Sequence, residues 1–351
     1  MKYSFPKLLE VLIKDKGLVL ATIVEASGST PQVPGAMAIF AAHGLVAGTV
    51  GGGLVEGRAQ ETALEALKDK RARLVEFRLD ADPDDQEGAI CGGTVSVLVD
   101  PLVMDARPVF DRALQGFRKR QPGVLLTMIR PLEGGFVHAA RDWLAESDFP
   151  EPSQSPGRLV QEPELADVLA SGKPRLFKRD DFSVFAEPVC PLPRLIIAGA
   201  GHVGKAVAHL GGLLDFEVTV IDDRAEFANK DNIPDADTVI VGDIAAAVRG
   251  IPDSPENYFV IVTRGHRHDA EALRASIGRA AAYLGLIGSR TKIALVRREF
   301  LEKGWATEEE WERVRAPIGL EIRSKTVEEI AVSIAAELVL VRAGLKGPGG
   351  S

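Results

Sequence analysis

The segment 195–204, LIIAGAGHVG, constrains the fold more than any other stretch of the chain. Four residues of strand character run into Gly199-Ala200-Gly201-His202-Val203-Gly204, a G-x-G-x-x-G turn that opens a helix. Each glycine has its own duty in such a turn. Gly199 permits the tight bend, Gly201 lets a pyrophosphate approach the backbone, and Gly204 lets helix and strand pack closely. Asp222 closes the next strand, 18 residues past Gly204, where a carboxylate can accept hydrogen bonds from a ribose.

Around this turn the chain alternates strand and helix. Strands are expected at 195–199, 217–222, 237–241, 258–263 and 283–287, with helices between them. That alternation predicts an α/β domain, a Rossmann-like parallel sheet with helices on both faces. In an open parallel sheet, ligands sit beyond the carboxyl ends of the strands. The segments 199–204, 222–224, 242–243, 263–269 and 288–290 therefore converge on one edge. Arg264, Ser289 and Arg290 stand there, and the last two start a helix, a combination suited to phosphate.

His202 and His266 are candidates on the same edge. His202 faces the positive end of a helix dipole, which disfavours its protonated form. A neutral ring can ligate a metal, donate one hydrogen bond, or merely bond to a neighbouring carbonyl. His266, His268 and Asp269 lack the i, i+4 pair or C-x-x-C knuckle of common zinc sites, and read as a charged loop.

The first half carries a different pattern. Residues 4–15 have helical spacing, 18–25 (LVLATIVE) are strand-like, and 94–99 are a further strand. Several short strand candidates lie in 123–188 around a Pro/Ser/Gly-rich stretch. The expectation is an N-terminal α+β domain over 1–190, a Rossmann-like domain over 191–345 and a flexible tail at 346–351. Gly51-Gly52-Gly53 precede a helix and can present a concave row of N–H groups to an anion. Glu56, in that helix's first turn, can cap it or bond a heterocycle edge. Cys91 lies between an acidic loop and two glycines; it reads either as a buried inert cysteine or as a thiolate suited to ligating molybdenum or carrying persulfide sulfur. Cys190, between prolines, reads as linker. The last helix begins at Thr326, which forms a capping box with Glu329.

Bulk properties narrow the class. Aromatics make up only 6 % of 351 residues, so the core must be built from Ala, Val, Leu and Ile. A net charge of −8 argues against a general nucleic-acid binder, which needs a basic face. Two cysteines fit a reducing compartment. No apolar stretch reaches membrane-spanning length, and a cytoplasmic protein is expected.

Taken together, these motifs resemble the XdhC/CoxI family of xanthine dehydrogenase accessory proteins. GSTPQVPGAM (28–37), GTVGGGLVE (48–56) and Cys91-Gly92-Gly93 resemble its N-terminal domain. IIAGAGHVG (196–204), VIDDR (220–224), VTRGHRHD (262–269), GLIGSR (285–290), APIGLEI (316–322) and EEIAVSIAAE (328–337) resemble its C-terminal Rossmann domain, in the same order. The resemblance implies a carrier more than a turnover enzyme. It would bind a molybdenum cofactor, as molybdopterin or its dinucleotide form, and protect it. It would deliver it to a xanthine dehydrogenase-type hydroxylase once a cysteine desulfurase has helped install the terminal sulfur. Cys91 becomes the molybdenum ligand or sulfur relay, with His202 near it if the domains face each other. The glycine loops become phosphate contacts, and a homodimer is compatible. The chain departs from the family at Gln32, where relatives often carry Arg, at Ala36, where they carry a basic residue, and at Arg323-Ser324 and Val327. The residues alone also admit an NAD(P)-dependent oxidoreductase, with His266 or His268 as proton donor, or a nucleotide-sensing regulator.

Overall fold

The computed structural model describes residues 5–14, 17–79, 92–101, 103–149 and 160–344. The chain divides into two compact units, Met1–Pro191 and Leu192–Ser351.

In the first unit the described strands are β1 (Val19–Ser27), β2 (Met37–Ala41), β3 (Gly44–Gly48), β4 (Ala72–Arg78), β5 (Thr94–Asp100), β6 (Gly123–Pro131), β7 (Phe136–Ala145), β8 (Arg175–Lys178) and β9 (Ser183–Val189). They form one sheet in the order β3-β2-β1-β5-β4-β7-β6-β9-β8, with every pairing antiparallel. Helices α1 (Phe5–Lys14), α2 (Gly53–Asp69), α3 (Arg107–Arg118) and α4 (Glu162–Ser171) pack against it.

β1 shows why LVLATIVE is an almost unbroken apolar run. Successive side chains of a strand point to opposite faces. Val19, Ala21 and Ile23 pack with Val55, Ala59 and Ala63 of α2, while Leu18 and Leu20 pack with Leu9 and Leu12 of α1 and Phe110 of α3. A strand covered on both faces needs apolar residues at both parities.

The second unit is built from β10 (Arg194–Ala198), α5 (His202–Leu213), β11 (Glu217–Asp222), β12 (Thr238–Val241), α6 (Ile244–Gly250), β13 (Asn257–Ile261), α7 (His266–Ser276), β14 (Tyr283–Leu286), α8 (Arg290–Glu302), α9 (Glu308–Glu312), β15 (Val314–Arg315) and α10 (Val327–Arg342). Its parallel sheet runs β12-β11-β10-β13-β14-β15. This is the doubly wound order, whose direction reverses between β10 and β13. Leu195, Ile197, Val218 and Val260 face α5 and α10, whereas Ile196, Ile221, Phe259 and Ile261 face α6, α7 and α8. The Rossmann-like α/β fold expected of this half is therefore the fold observed, and each of its five expected strands forms. The two-residue β15 adds a sixth, too short to carry a periodic signal.

Thr326 caps α10 as its sequence predicts: its side chain accepts from the Glu329 N–H, and Glu329 accepts from the Thr326 N–H. Ala331, Ile334 and Leu338 then bury one face of the helix. The segment 316–322 lies between β14 and α10, since Ile318 donates to the Leu286 carbonyl at 3.0 Å and Leu320 to the Ser333 carbonyl at 3.2 Å.

Candidate functional site

In the second unit the glycine turn stands at the point where the strand order reverses, the place such sheets hold their ligands. The three glycines differ in what demands them. Gly199 adopts a φ of 115°, and a Cβ there would press on the Val262 carbonyl oxygen at 2.5 Å. A Cβ on Gly204 would collide with the Gly199 carbonyl oxygen, so this glycine serves the packing of α5 on β10. Gly201 has an ordinary extended φ of −71°, and a Cβ there would meet no protein atom within 4 Å. Neither backbone strain nor protein packing asks for glycine at 201. What a side chain would fill is the open space at the N-terminus of α5, where backbone N–H groups lack helical acceptors and attract anions.

Asp222 ends β11 as expected, but its carboxylate is already bonded within the protein. Oδ2 accepts from the Ala200 N–H at 2.8 Å and from Arg224 Nη2 at 2.9 Å. Oδ1 accepts from the Arg224 N–H at 3.0 Å and from Nε at 2.8 Å. Burial by itself would raise this carboxyl. The Arg224 guanidinium and the two backbone N–H groups outweigh burial and hold it at about 2. Asp222 thus clamps the glycine turn to the end of the neighbouring strand.

The other expected residues gather on the same edge. His202 and His266 are the first residues of α5 and α7, and both are exposed. Arg264 bonds Asp223 at 3.1 Å. Ser289 caps α8, accepting from the Lys292 N–H, and Arg290 reaches Glu321 at 3.4 Å from an exposed position. His266, His268 and Asp269 do not form a metal cluster; among the described residues no His/Cys/Asp/Glu group could hold a metal ion.

Two groups differ from their sequence reading: Asp269, expected in a charged loop, lies in a helix and is buried, and Arg224 has no role in that reading. Asp269 is fully buried in the first turn of α7, where it accepts from the Thr263 hydroxyl at 2.6 Å and from the Lys292 ammonium. Lys292 thereby joins the loops after β13 and β14. Arg224 is the other, its guanidinium lying 3.9 Å from the Phe227 ring centroid. The signals were present, an acid three residues into a helix and an arginine two residues past a strand-end acid. Neither has a single reading without the fold.

In the first unit the glycine motifs come together. Gly51, Gly52 and Gly53 all take positive φ, at 122°, 67° and 50°; Gly52 is the N-cap of α2 and Gly53 its first residue. Glu56 closes this turn from inside the helix: its Oε2 accepts from the Thr49 hydroxyl at 2.6 Å and from the Val50 N–H at 3.3 Å. A Cβ on Gly51 would strike Pro31 of the 28–37 segment at 2.8 Å. Gly28, in that segment, lies against Gly92 and Gly93, where a Cβ would meet backbone atoms at 2.9 Å. The three motifs thus share one corner of the sheet, next to a polar depression of about 440 Å³ lined by Glu25, Ser27, Glu76, Arg78, Thr94 and Ser96. Cys91 itself lies outside the described residues. Cys190 is exposed.

The fold and these sites define a class: a two-unit protein with a Rossmann domain whose glycine turn borders open space at a helix N-terminus. Comparison with known proteins specifies it further. Residues 195–338 match the XdhC Rossmann domain, and residues 13–78 match the XdhC and CoxI family. The chain belongs to the XdhC/CoxI family.

It is 29 % identical over 329 residues to the uncharacterized protein YqeB of Escherichia coli K12, covering 93 % of this chain and 44 % of that protein, so it spans less than half of that relative. It is 26 % identical over 346 residues to a probable xanthine dehydrogenase subunit from Bacillus subtilis 168, covering 97 % and 98 % of the two chains. The molybdenum cofactor insertion chaperone PaoD of E. coli K12 is 24 % identical over 334 residues, covering 95 % and 86 %. In fold, the chain is similar to the crystal structure of a xanthine dehydrogenase from Bacillus halodurans, with a TM-score of 0.76 at 24 % identity, covering 98 % and 97 %. Among the described residues no helix is long and apolar enough to cross a membrane.

Proposed function

We propose that this chain carries a molybdenum cofactor and helps install it in a xanthine dehydrogenase-type molybdenum hydroxylase. One observation carries the structural side of this reading: the open position above Gly201, at the N-terminus of α5, which no protein atom explains. The cofactor is cargo, and the chain's own chemistry is binding, shielding and release. The α5 and α8 N-termini, with Arg264 and Arg290 beside them, suit the phosphate end of such a ligand. Membership of the XdhC/CoxI family and likeness to a relative named a molybdenum cofactor insertion chaperone support the same reading.

The first unit contributes the turn at 51–53 and, by family resemblance, Cys91 as the molybdenum ligand or sulfur relay. A cysteine desulfurase and a hydroxylase client are the partners this function requires. Co-expressing the chain with cofactor biosynthesis intact, purifying it and assaying bound molybdenum and pterin tests the proposal. Near-stoichiometric pterin is expected, and Cys91→Ala should lose cofactor retention or sulfuration with the fold preserved. Pterin no higher than on an unrelated protein would refute it.

A further inference from the structure

A dinucleotide on a sheet of this order lays its pyrophosphate on the turn after the first strand. It offers a ribose diol to the acid ending the second. Here that acid is fully engaged. Asp222 is 2 % exposed and accepts four N–H bonds, from Ala200, from the Arg224 backbone and twice from the Arg224 guanidinium. Two carboxylate oxygens offer about four acceptor sites in all. Arg224 is itself held in place, bidentate on Asp222 along one edge and stacked on Phe227. A ribose hydroxyl would have to displace a planar cation fixed on two sides.

A second pair crosses the same place. Asp223 follows β11 and Arg264 follows β13, and β10 lies between those strands. Adjacent strands are about 4.8 Å apart, so the Arg264–Asp223 bond bridges about 10 Å of sheet across the end of β10, where the glycine turn begins. Unlike the buried clamp, this strap is solvent-exposed, with side chains 56 % and 32 % accessible. A screened surface pair is weakly held, and a phosphate offers the guanidinium a stronger, bidentate partner.

We infer that Arg224 and Arg264 set the ligand class of this crevice: Arg224 closes it to an adenosine ribose diol, while Arg264 leaves Asp223 for a terminal phosphate. The turn therefore takes a phosphomonoester and rejects an adenine dinucleotide. The inference deepens the proposed function and rests on its reading of the turn as a ligand site.

Calorimetric titration of the full chain with phenyl phosphate, NADH and NADPH tests it. The wild-type chain should bind phenyl phosphate saturably and show no saturable binding of either dinucleotide below millimolar concentrations. Arg264→Ala should weaken phenyl phosphate at least fivefold and leave NADH silent. Arg224→Ala returns two acceptor sites to Asp222 and should raise NADH affinity at least tenfold. Arg224→Lys keeps a cation beside the buried acid but cannot make both bonds, and should give a smaller gain in a securely folded chain.

Three outcomes overturn the inference: wild-type binding of NADH as tight as that of phenyl phosphate, phosphate binding that ignores Arg264, or folded Arg224 variants still blind to NADH. If neither Arg224 variant folds, the wild-type and Arg264 titrations decide. A chain that purifies without pterin would sink the carrier reading while leaving this selectivity measurable. A chain that carries pterin and also binds NADH would sink the selectivity alone.

Discussion

The carboxylate of Glu337, well along α10, accepts a hydrogen bond from the backbone N–H of Gly319 at 2.9 Å. The same oxygen accepts from the Tyr283 hydroxyl at the end of the sheet. Burial first, and then the Glu337 carboxylate, raise that hydroxyl well above its ordinary range, so it stays a donor. One buried acid thus fixes the 316–322 segment between β14 and the last helix.

Glu337→Leu leaves the buried Tyr283 hydroxyl and the part-buried Gly319 N–H without this acceptor. An unmet buried donor costs about 1–3 kcal/mol, so a loss of roughly 2–5 kcal/mol is expected in urea unfolding. Tyr283→Phe removes one donor and should cost about 1 kcal/mol. Equal losses in the two variants would contradict this account.

The glycine turn gives a contrast between two substitutions of the same kind. Gly204→Ala drives a methyl into the Gly199 carbonyl and should destabilise the second unit by about 1–3 kcal/mol. Gly201→Ala meets nothing and should leave stability within about 0.5 kcal/mol. Thermal melts together with the pterin content of each purified variant check the pair. A stable Gly201→Ala protein with undiminished pterin would show that no ligand approaches this position.

Asp222 links the site to pH. Its folded value, about 2, lies below its ordinary 3.8. A depressed carboxylate contributes stability that is complete above the unfolded value and lost as pH falls through the folded one. Stability should therefore decline between pH 4 and pH 2 with a slope of up to about 1.4 kcal/mol per unit from this group. Asp222→Asn should flatten that limb and, by removing the bidentate partner of Arg224 while Asp223 stays near it at 3.9 Å, cost about 1–3 kcal/mol at neutral pH.

Glu187 on β9 has the opposite sign. Burial, opposed by the Arg141 guanidinium, pushes its carboxyl up to about 8 from an ordinary 4.5. Arg141 is itself bonded to Asp100, and both side chains are 2 % exposed. The unfolded chain ionises Glu187 first, so the first unit should lose stability as pH rises from 4.5 to 8 and level off beyond. Glu187→Gln should remove that slope and be the more stable form at pH 8.5. Parallel pH profiles for the two proteins in urea unfolding would rule this out.

The central strands of the second unit, β10, β13 and β14, are legible because they are buried on both faces and read as short apolar runs such as LIIA or YFVIVT, whereas the edge strand β12 is only partly covered. In the first unit β1 and β5 read in the same way. Helix α3 carries an apolar face as well, with Phe110, Ala113, Leu114 and Gly116 buried and Arg107, Arg112 and Arg118 at its other positions, but no helix was expected there. The edge pair β2–β3 is only five residues per strand and has few periods to count.

Local chemistry alone determined the turn at 199–204, the caps at Ser289 and Thr326 and the positive-φ glycines at the start of α2, because a few neighbouring residues dictate backbone conformation. Only the tertiary structure decided that Asp222 is spoken for by Arg224 and Ala200, that Asp269 meets Lys292, and that Gly28 rests on Gly93. Those partners are joined through strand order and side-chain packing. Side-chain direction at a surface edge follows from what surrounds it, as the Phe227 ring beneath Arg224 shows.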